Sequence, residues 1–250
     1  MFHGGPGFAR IAAVAVAGAS CLAVAACGGI SASSLSTAAS SAQDPLASLT
    51  ASKVATEAMA NLKAASSLTM AGTVNESGKN IVLNLGFKLG HGCAGTFREG
   101  SEGSFKLIMI GKTIYFDPDT QFWKSQGGSA ASAAIALVNG RYIKTSTSAS
   151  GMSSIASLCD LSEQMASGKA AGAFTKGKFT TLAGTRVLRI VNPKEGVLYV
   201  TDTSKPEIAE IVETKNTGDG IGKLTFSVGA PVTLTAPPAS QVLNGSAVGM

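Results

Sequence analysis

Apolar and polar positions repeat along this chain with two different periods, and the changes of period mark its elements. Over 44–65, Leu46, Leu49, Val54, Ala58 and Leu62 recur at helical spacing. Asp44 suits a cap and Pro45 the first turn, so a helix is predicted there. From residue 67 the period shortens to two. In 80–89, Ile81, Leu83, Leu85 and Phe87 fall on one face and Asn84 and Lys88 on the other, as in a strand with one buried face. Strands are also predicted at 67–76, 93–99, 104–110, 113–116 and 122–124. Between them lie turns such as Gly90-His91-Gly92, Gly111-Lys112 and Asp117-Pro118-Asp119. Residues 129–138 and 151–167 are alanine-rich with helical period, joined through Gly140-Arg141-Tyr142-Ile143. Strands return at 178–182, 185–191, 196–201, 207–213, 224–228 and 232–235.

Turns this short do not allow parallel crossovers, so the sheet is mostly antiparallel. Nothing divides residues 44–240 into two units. The pattern predicts one α+β domain: a long curved sheet of about 10 or 11 strands with helices packed on one side. A flexible tail is expected at 241–250, where the sequence turns Gly- and Ser-rich.

The N-terminus carries an address. Arg10 precedes an apolar run from Ile11 to Ala26. That run is too short and too rich in small residues for a spanning helix, which needs about 20 strongly apolar residues. It ends in Val24-Ala25-Ala26-Cys27-Gly28, which looks like a bacterial lipobox. Cys21 fits worse, because Gly18 stands where an aliphatic residue is wanted. We therefore expect residues 1–26 to be a signal peptide and Cys27 to be diacylated. Residues 27–43 then form a small-residue tether. Two acyl chains anchor stably where one is marginal, so the protein is expected on the outer face of the cell membrane.

Cys93 and Cys159 remain in an exported, disulfide-permissive compartment. The simplest expectation is a bond between them. Metal binding or a catalytic thiol is the alternative, but His91 is the sole His of the mature chain and no Cys-x-x-Cys occurs.

Composition narrows the function. The net charge of +5 is dispersed, with no Lys/Arg cluster longer than two neighbours, which argues against a nucleic-acid partner. Catalytic constellations are not evident either. There is no Gly-x-Ser-x-Gly, and His91 sits in a Gly-His-Gly turn. Residues 172–178 (GAFTKGK) imitate a P-loop, but Phe179 replaces the required Ser or Thr and a strand follows. Gly218-Asp219-Gly220-Ile221-Gly222 leads into a strand, so it reads as a hairpin turn. No pair of acids is singled out, and zinc or calcium spacing is missing. We expect no enzyme activity, no metal and no cofactor.

Several strands are instead apolar on both faces. Phe105, Leu107 and Met109 alternate with Ile108 and Ile110, and Ile114 and Phe116 with Tyr115. One face must meet helices. The other either meets another part of the chain or helps to enclose an apolar cavity. Met59, Met70, Met109, Met152 and Met165 serve equally as plain core or as an adaptable cavity wall.

The order of motifs resembles a family. After the lipobox, the Ser/Ala tether and the first helix come Cys93-Ala94-Gly95-Thr96 and Gly111-Lys112-Thr113-Ile114-Tyr115-Phe116. Phe122-Trp123-Lys124, Gly140-Arg141-Tyr142-Ile143 and Leu158-Cys159-Asp160-Leu161 follow, and Pro231-Val232-Thr233-Leu234-Thr235-Ala236-Pro237 closes the series. This resembles actinobacterial lipoproteins with a LolA/LolB-like half-barrel, of the LppX/LprG type. The Cys93/Cys159 pair is similar to an uncharacterised subgroup. The resemblance implies a sheet wrapped around a helix and an apolar cavity that accepts lipid tails, lined by Ile81, Leu83, Leu85, Phe87, Leu107, Met109 and Phe226. It implies a lipid or glycolipid ligand, held by a carrier or sensor. The alternative is a structural lipoprotein that presents an aromatic patch around Tyr115, Phe122 and Trp123 to a protein partner. A two-lobed solute-binding protein would need repeated strand–helix alternation in place of these meanders.

Overall fold

The computed structural model describes residues 44–76, 79–167, 173–194, 196–213 and 222–249. The expected signal peptide, Cys27, the tether and residues 218–221 of the expected hairpin turn lie outside the described residues. The chain opens with α1 (Ala51–Lys63), then β1 (Ser67–Glu76), β2 (Lys79–Lys88), β3 (Gly92–Glu99), β4 (Ser104–Ile110) and β5 (Thr113–Pro118). Helices α2 (Thr120–Gln126) and α3 (Ala131–Val138), strand β6 (Tyr142–Ser146) and helix α4 (Ser153–Ser167) form the middle. Then come β7 (Thr175–Leu182), β8 (Thr185–Asn192), β9 (Gly196–Thr201), β10 (Ile208–Val212), β11 (Lys223–Val228) and β12 (Val242–Asn244).

All twelve strands join one curved sheet in the order β12-β6-β5-β4-β3-β2-β1-β11-β10-β9-β8-β7. It consists of two antiparallel meanders, β1–β6 and β7–β11, welded where β1 pairs with β11. Only β12 runs parallel to its neighbour, β6. This is the long curved α+β sheet that the alternating pattern predicts and the half-barrel that the resemblance implies. Gly95 of β3 shows one way the sheet bends. Its φ is +156°, and a Cβ there would lie 2.0 Å from the Asn84 carbonyl oxygen of β2, so only glycine permits this approach.

Four sequence expectations change. Helix α1 starts at Ala51, with the Thr50 side chain accepting from Lys53 N; residues 44–49 form turns ahead of it, so neither Asp44 nor Pro45 starts the helix.

The strand expected at 122–124 is part of α2. Asp119 caps that helix: its Oδ1 accepts from Phe122 N at 2.7 Å, and its Oδ2 accepts from Ser104 N at 2.9 Å and Ser104 Oγ at 2.6 Å. The cap outweighs the β-propensity of Phe122 and Trp123.

The third change concerns the chain's end. Residues 241–250, expected as a flexible tail, instead supply β12, whose Val242, Leu243 and Asn244 pair with Tyr142, Ile143 and Lys144. Both β6 and β12 are strands that the periodicity missed.

Residues 232–235, expected as a strand, are not one. They belong to a strap from β11 to β12. Val232 lies over Gly86, its two methyls 3.2 Å from where a Cβ would stand. Gly86 alternates with the inward Leu85 and Phe87, so the strap crosses the convex face. The cross-strand row of Gly86, Ala94, Ile108 and Tyr115 is half-buried on that side. The doubly apolar strands thus meet helices on one face, and on their second face Ile108 and Tyr115 continue the half-buried row that begins at Gly86 under Val232. Pro231, Pro237 and Pro238 lack N–H groups and suit a segment outside the ladder.

The cap gives a pH-dependent prediction. Burial alone would raise the Asp119 carboxyl, but hydrogen bonds from Ser104, Phe122 and Gln121 hold it below its ordinary value. Asp119→Ala is expected to cost about 1–2 kcal/mol near neutral pH. A lowered folded-state value means that this stability is present above the unfolded carboxylate value, about 4, and is lost as pH falls through the folded one. Urea unfolding should show the gap between wild type and variant closing in acid; a constant gap would contradict the role of the charge.

Candidate functional site

Strand registers stack the inward residues in rows. One row runs Leu68, Phe87, Cys93, Met109 and Ile114 across β1 to β5. The next runs Phe226, Met70, Leu85, Gly95, Leu107, Phe116 and Ile143 from β11 to β6. Ile81, Leu83, Leu85, Phe87, Leu107, Met109 and Phe226 are all buried on this concave face, within or beside the two rows. Leu68, Met70, Ile114, Phe116 and Ile143 join them, and all five are buried. Four of those five sit on segments whose alternation is visible in the sequence. Ile143 carries no such signal, because its short strand reads as a connection between helices.

Helices cover this face. Helix α1 buries Ala51, Val54, Ala55, Ala58 and Leu62, one stripe at helical spacing, and rests on β7, β9, β10 and α4. Helix α4 adds Ile155, Leu158 and Cys159 and leans on α1 and β3. The Cys93–Cys159 disulfide ties α4 to β3, with the two Cα atoms 5.2 Å apart. Helix α2 covers the far end of β4, where Phe97, Phe105, Phe116, Phe122 and Trp123 make one aromatic cluster with centroids 4.9–6.3 Å apart. The aromatic patch expected at Tyr115, Phe122 and Trp123 is therefore not a surface feature. Trp123 is buried, Phe122 packs against the core, and Tyr115 lies on the opposite face of the sheet, half-buried.

A polar clamp holds the start of the domain. The Lys176 Nζ on β7 donates to the carbonyls of Leu46 at 2.6 Å, Ala47 at 2.6 Å and Leu49 at 2.9 Å. Asp202 accepts from Leu46 N at 3.2 Å and from Arg186 Nε at 2.9 Å, while Arg186 Nη2 reaches Asp44 at 2.7 Å. The Arg186 guanidinium also lies over the Phe179 ring, 4.5 Å from its centroid. Its pKa is raised, first by the hydrogen bond to Asp202 and further by the charges of Asp44 and Asp202, against desolvation, which lowers it. Asp44, the first described residue, is thus bolted to the β7–β9 side of the sheet. Sequence reasoning assigned Asp44 to a helix cap and missed this network, whose partners lie up to 156 residues apart.

At the other side, α4 and the turns that follow β2 and β4 leave a cleft of about 160 Å³. Its lining includes Lys88, His91, Met109, Gly111, Cys159 and Asp160. Among the described residues no group of His, Cys, Asp or Glu is placed to hold a metal, and no helix is long and apolar enough to cross a membrane.

No family profile matches the sequence, and comparison with curated proteins finds no match. Solved structures are similar in outline. LprF from Mycobacterium bovis aligns over 75% of this chain and 96% of its own, with 15% identity and a TM-score of 0.49. An uncharacterized conserved protein from Thermus thermophilus aligns over 77% and 97%, with 11% identity and a TM-score of 0.33.

Proposed function

We propose that this is a membrane-anchored, non-enzymatic lipoprotein that holds the apolar part of a cell-envelope lipid between the concave sheet and helices α1 and α4, as carrier or sensor. The observation that carries this reading is the make-up of that interface. The concave face carries large side chains in continuous rows across β11 and β1 to β6, whereas α1, which covers β7, β9 and β10 beside them, buries three alanines among its five buried residues. An alanine face buries little apolar area, so parting it from the sheet costs less than parting a face of Leu or Phe. An acyl chain entering there is repaid by about 0.8 kcal/mol for each methylene it removes from water. The disulfide would keep α4 attached to β3 while the rest of the helical cover moves.

The test is native mass spectrometry of the mature chain, purified in detergent micelles from an actinobacterial host with its disulfide oxidised, followed by extraction of bound lipid. One lipid class bound at unit stoichiometry is the expected result. A clean apo mass, with no uptake of offered phospholipid or glycolipid, would overturn the proposal. Anchoring is tested separately. Cys27→Ala should abolish acyl labelling and release the chain from membranes, and retained labelling would refute acylation at that residue.

A further inference from the structure

We propose that the cleft beside the disulfide is the subsite for an anionic lipid head, an inference that rests on the function proposed above and names the chemistry its ligand must carry. The first argument is position. Met109 and Cys159 line the cleft. In the register, Met109 stands between Cys93 and Ile114, in the row that also holds Phe87 and Leu68. The cleft is thus a polar mouth at the end of the apolar face.

The second argument is size. About 160 Å³ is well below the roughly 300–1,000 Å³ of pockets that enclose whole small ligands. It has room for a head group only, so the chains of an amphiphile seated here must lie outside it, along the apolar row beyond the disulfide.

Charge supplies the third. Two exposed lysines, Lys88 in the lining and Lys112 directly after the lining residue Gly111, stand against Asp160, the one acid in the lining, and the exposed His91 adds ring nitrogens for hydrogen bonding. The balance favours an anion. The rim is also firmly set. His91 N donates to the Lys88 carbonyl at 2.9 Å, and Gly111 N to the His91 carbonyl at 2.8 Å, which ties the two turns together. A Cβ at Gly90 or Gly111 would meet nothing within 4 Å, so ligand atoms can approach the backbone there without obstruction.

The experiment offers the delipidated mature chain equal amounts of phosphatidylglycerol and diacylglycerol with identical acyl chains, in neutral detergent, and reads the ratio of adducts by native mass spectrometry. Wild type should prefer phosphatidylglycerol by roughly fivefold, the size expected of a partly exposed charge contact. The Lys88→Gln/His91→Gln variant, altered only at exposed positions, should bring the ratio to about one by losing phosphatidylglycerol uptake, with diacylglycerol uptake as in wild type. Equal uptake of both lipids by wild type, or an unchanged ratio in the variant, would overturn the head-group site and leave the chain-binding proposal standing. No uptake of either lipid would overturn both. Inorganic phosphate in large excess should leave the bound phosphatidylglycerol in place. Its displacement by phosphate would overturn the lipid-head assignment in favour of a site for a soluble anion.

Discussion

Opening the Cys93–Cys159 bond, by replacing both residues with alanine, is expected to destabilise the domain by about 4 kcal/mol. The bond closes a loop of 66 residues, and loop-closure entropy at that length, strain aside, sets the magnitude. Both sulfurs are buried in the core, so the variant also loses packing between α4 and β3. Denaturant titration without reductant measures the loss. Wild type in reductant should fall toward the variant, and a difference under about 1 kcal/mol would show that the native contacts of α4 suffice without the bond. The consequence for function is specific. If the bond keeps the cover in register while chains enter, the variant should bind lipid with less discrimination between head groups, because the Cys159 side of the cleft is no longer fixed.

Phe87→Ala should cost about 3–5 kcal/mol. Phe87 has no exposed surface and stands between Leu68 and Cys93 in the concave row. Its removal leaves a cavity that a sheet held by ladders on both sides cannot collapse to fill. Val82→Ala is the control: Val82 belongs to the same strand but is 46% exposed on the convex face, and it should change stability by no more than about 0.5 kcal/mol. Unfolding followed with and without an added fatty acid then connects packing to function. A chain that binds only the folded protein raises its apparent stability with concentration, so part of the Phe87→Ala loss should be recovered by ligand. A variant whose melting is indifferent to every amphiphile offered would mean that this row is ordinary core.

The legible parts of the fold are those whose cause is local. Alternation of Ile81, Leu83, Leu85 and Phe87 placed β2 and its buried face, and the same period found β3, β4, β8 and β9. The cysteine pair was legible by elimination, because the export expected from the N-terminal sequence would allow a bond and the sequence offers no competing metal motif. The helix at α2 reads wrongly although its signal is present. Asp119 followed by Phe122 at the capping distance is a helix start, but the aromatic dipeptide draws the reading toward a strand.

Other features were not legible at all. Tyr142–Ser146 becomes a strand only because β5 offers an edge, and Val242–Asn244 only because β6 offers the next. Neither segment has enough alternation of its own. The candidate site divides the same way. Its apolar rows follow from alternation, whereas the cleft at its mouth assembles from Lys88, Gly111 and Asp160, which no spacing rule connects.

By itself, the sequence determined α1, α3, α4 and the strands β1–β5 and β7–β11, the antiparallel character of the meanders and the alternation that buries one side of those strands. These depend on the period of side chains and on turn chemistry, both set by residues a few positions apart. Only the tertiary structure decided that the last residues bind the convex face and the β6 edge, that Asp44 is clamped by Arg186, and that α4 and two turns form a charged cleft. Those arrangements gain their free energy from groups far apart in the chain, so nothing in any short stretch of sequence records them.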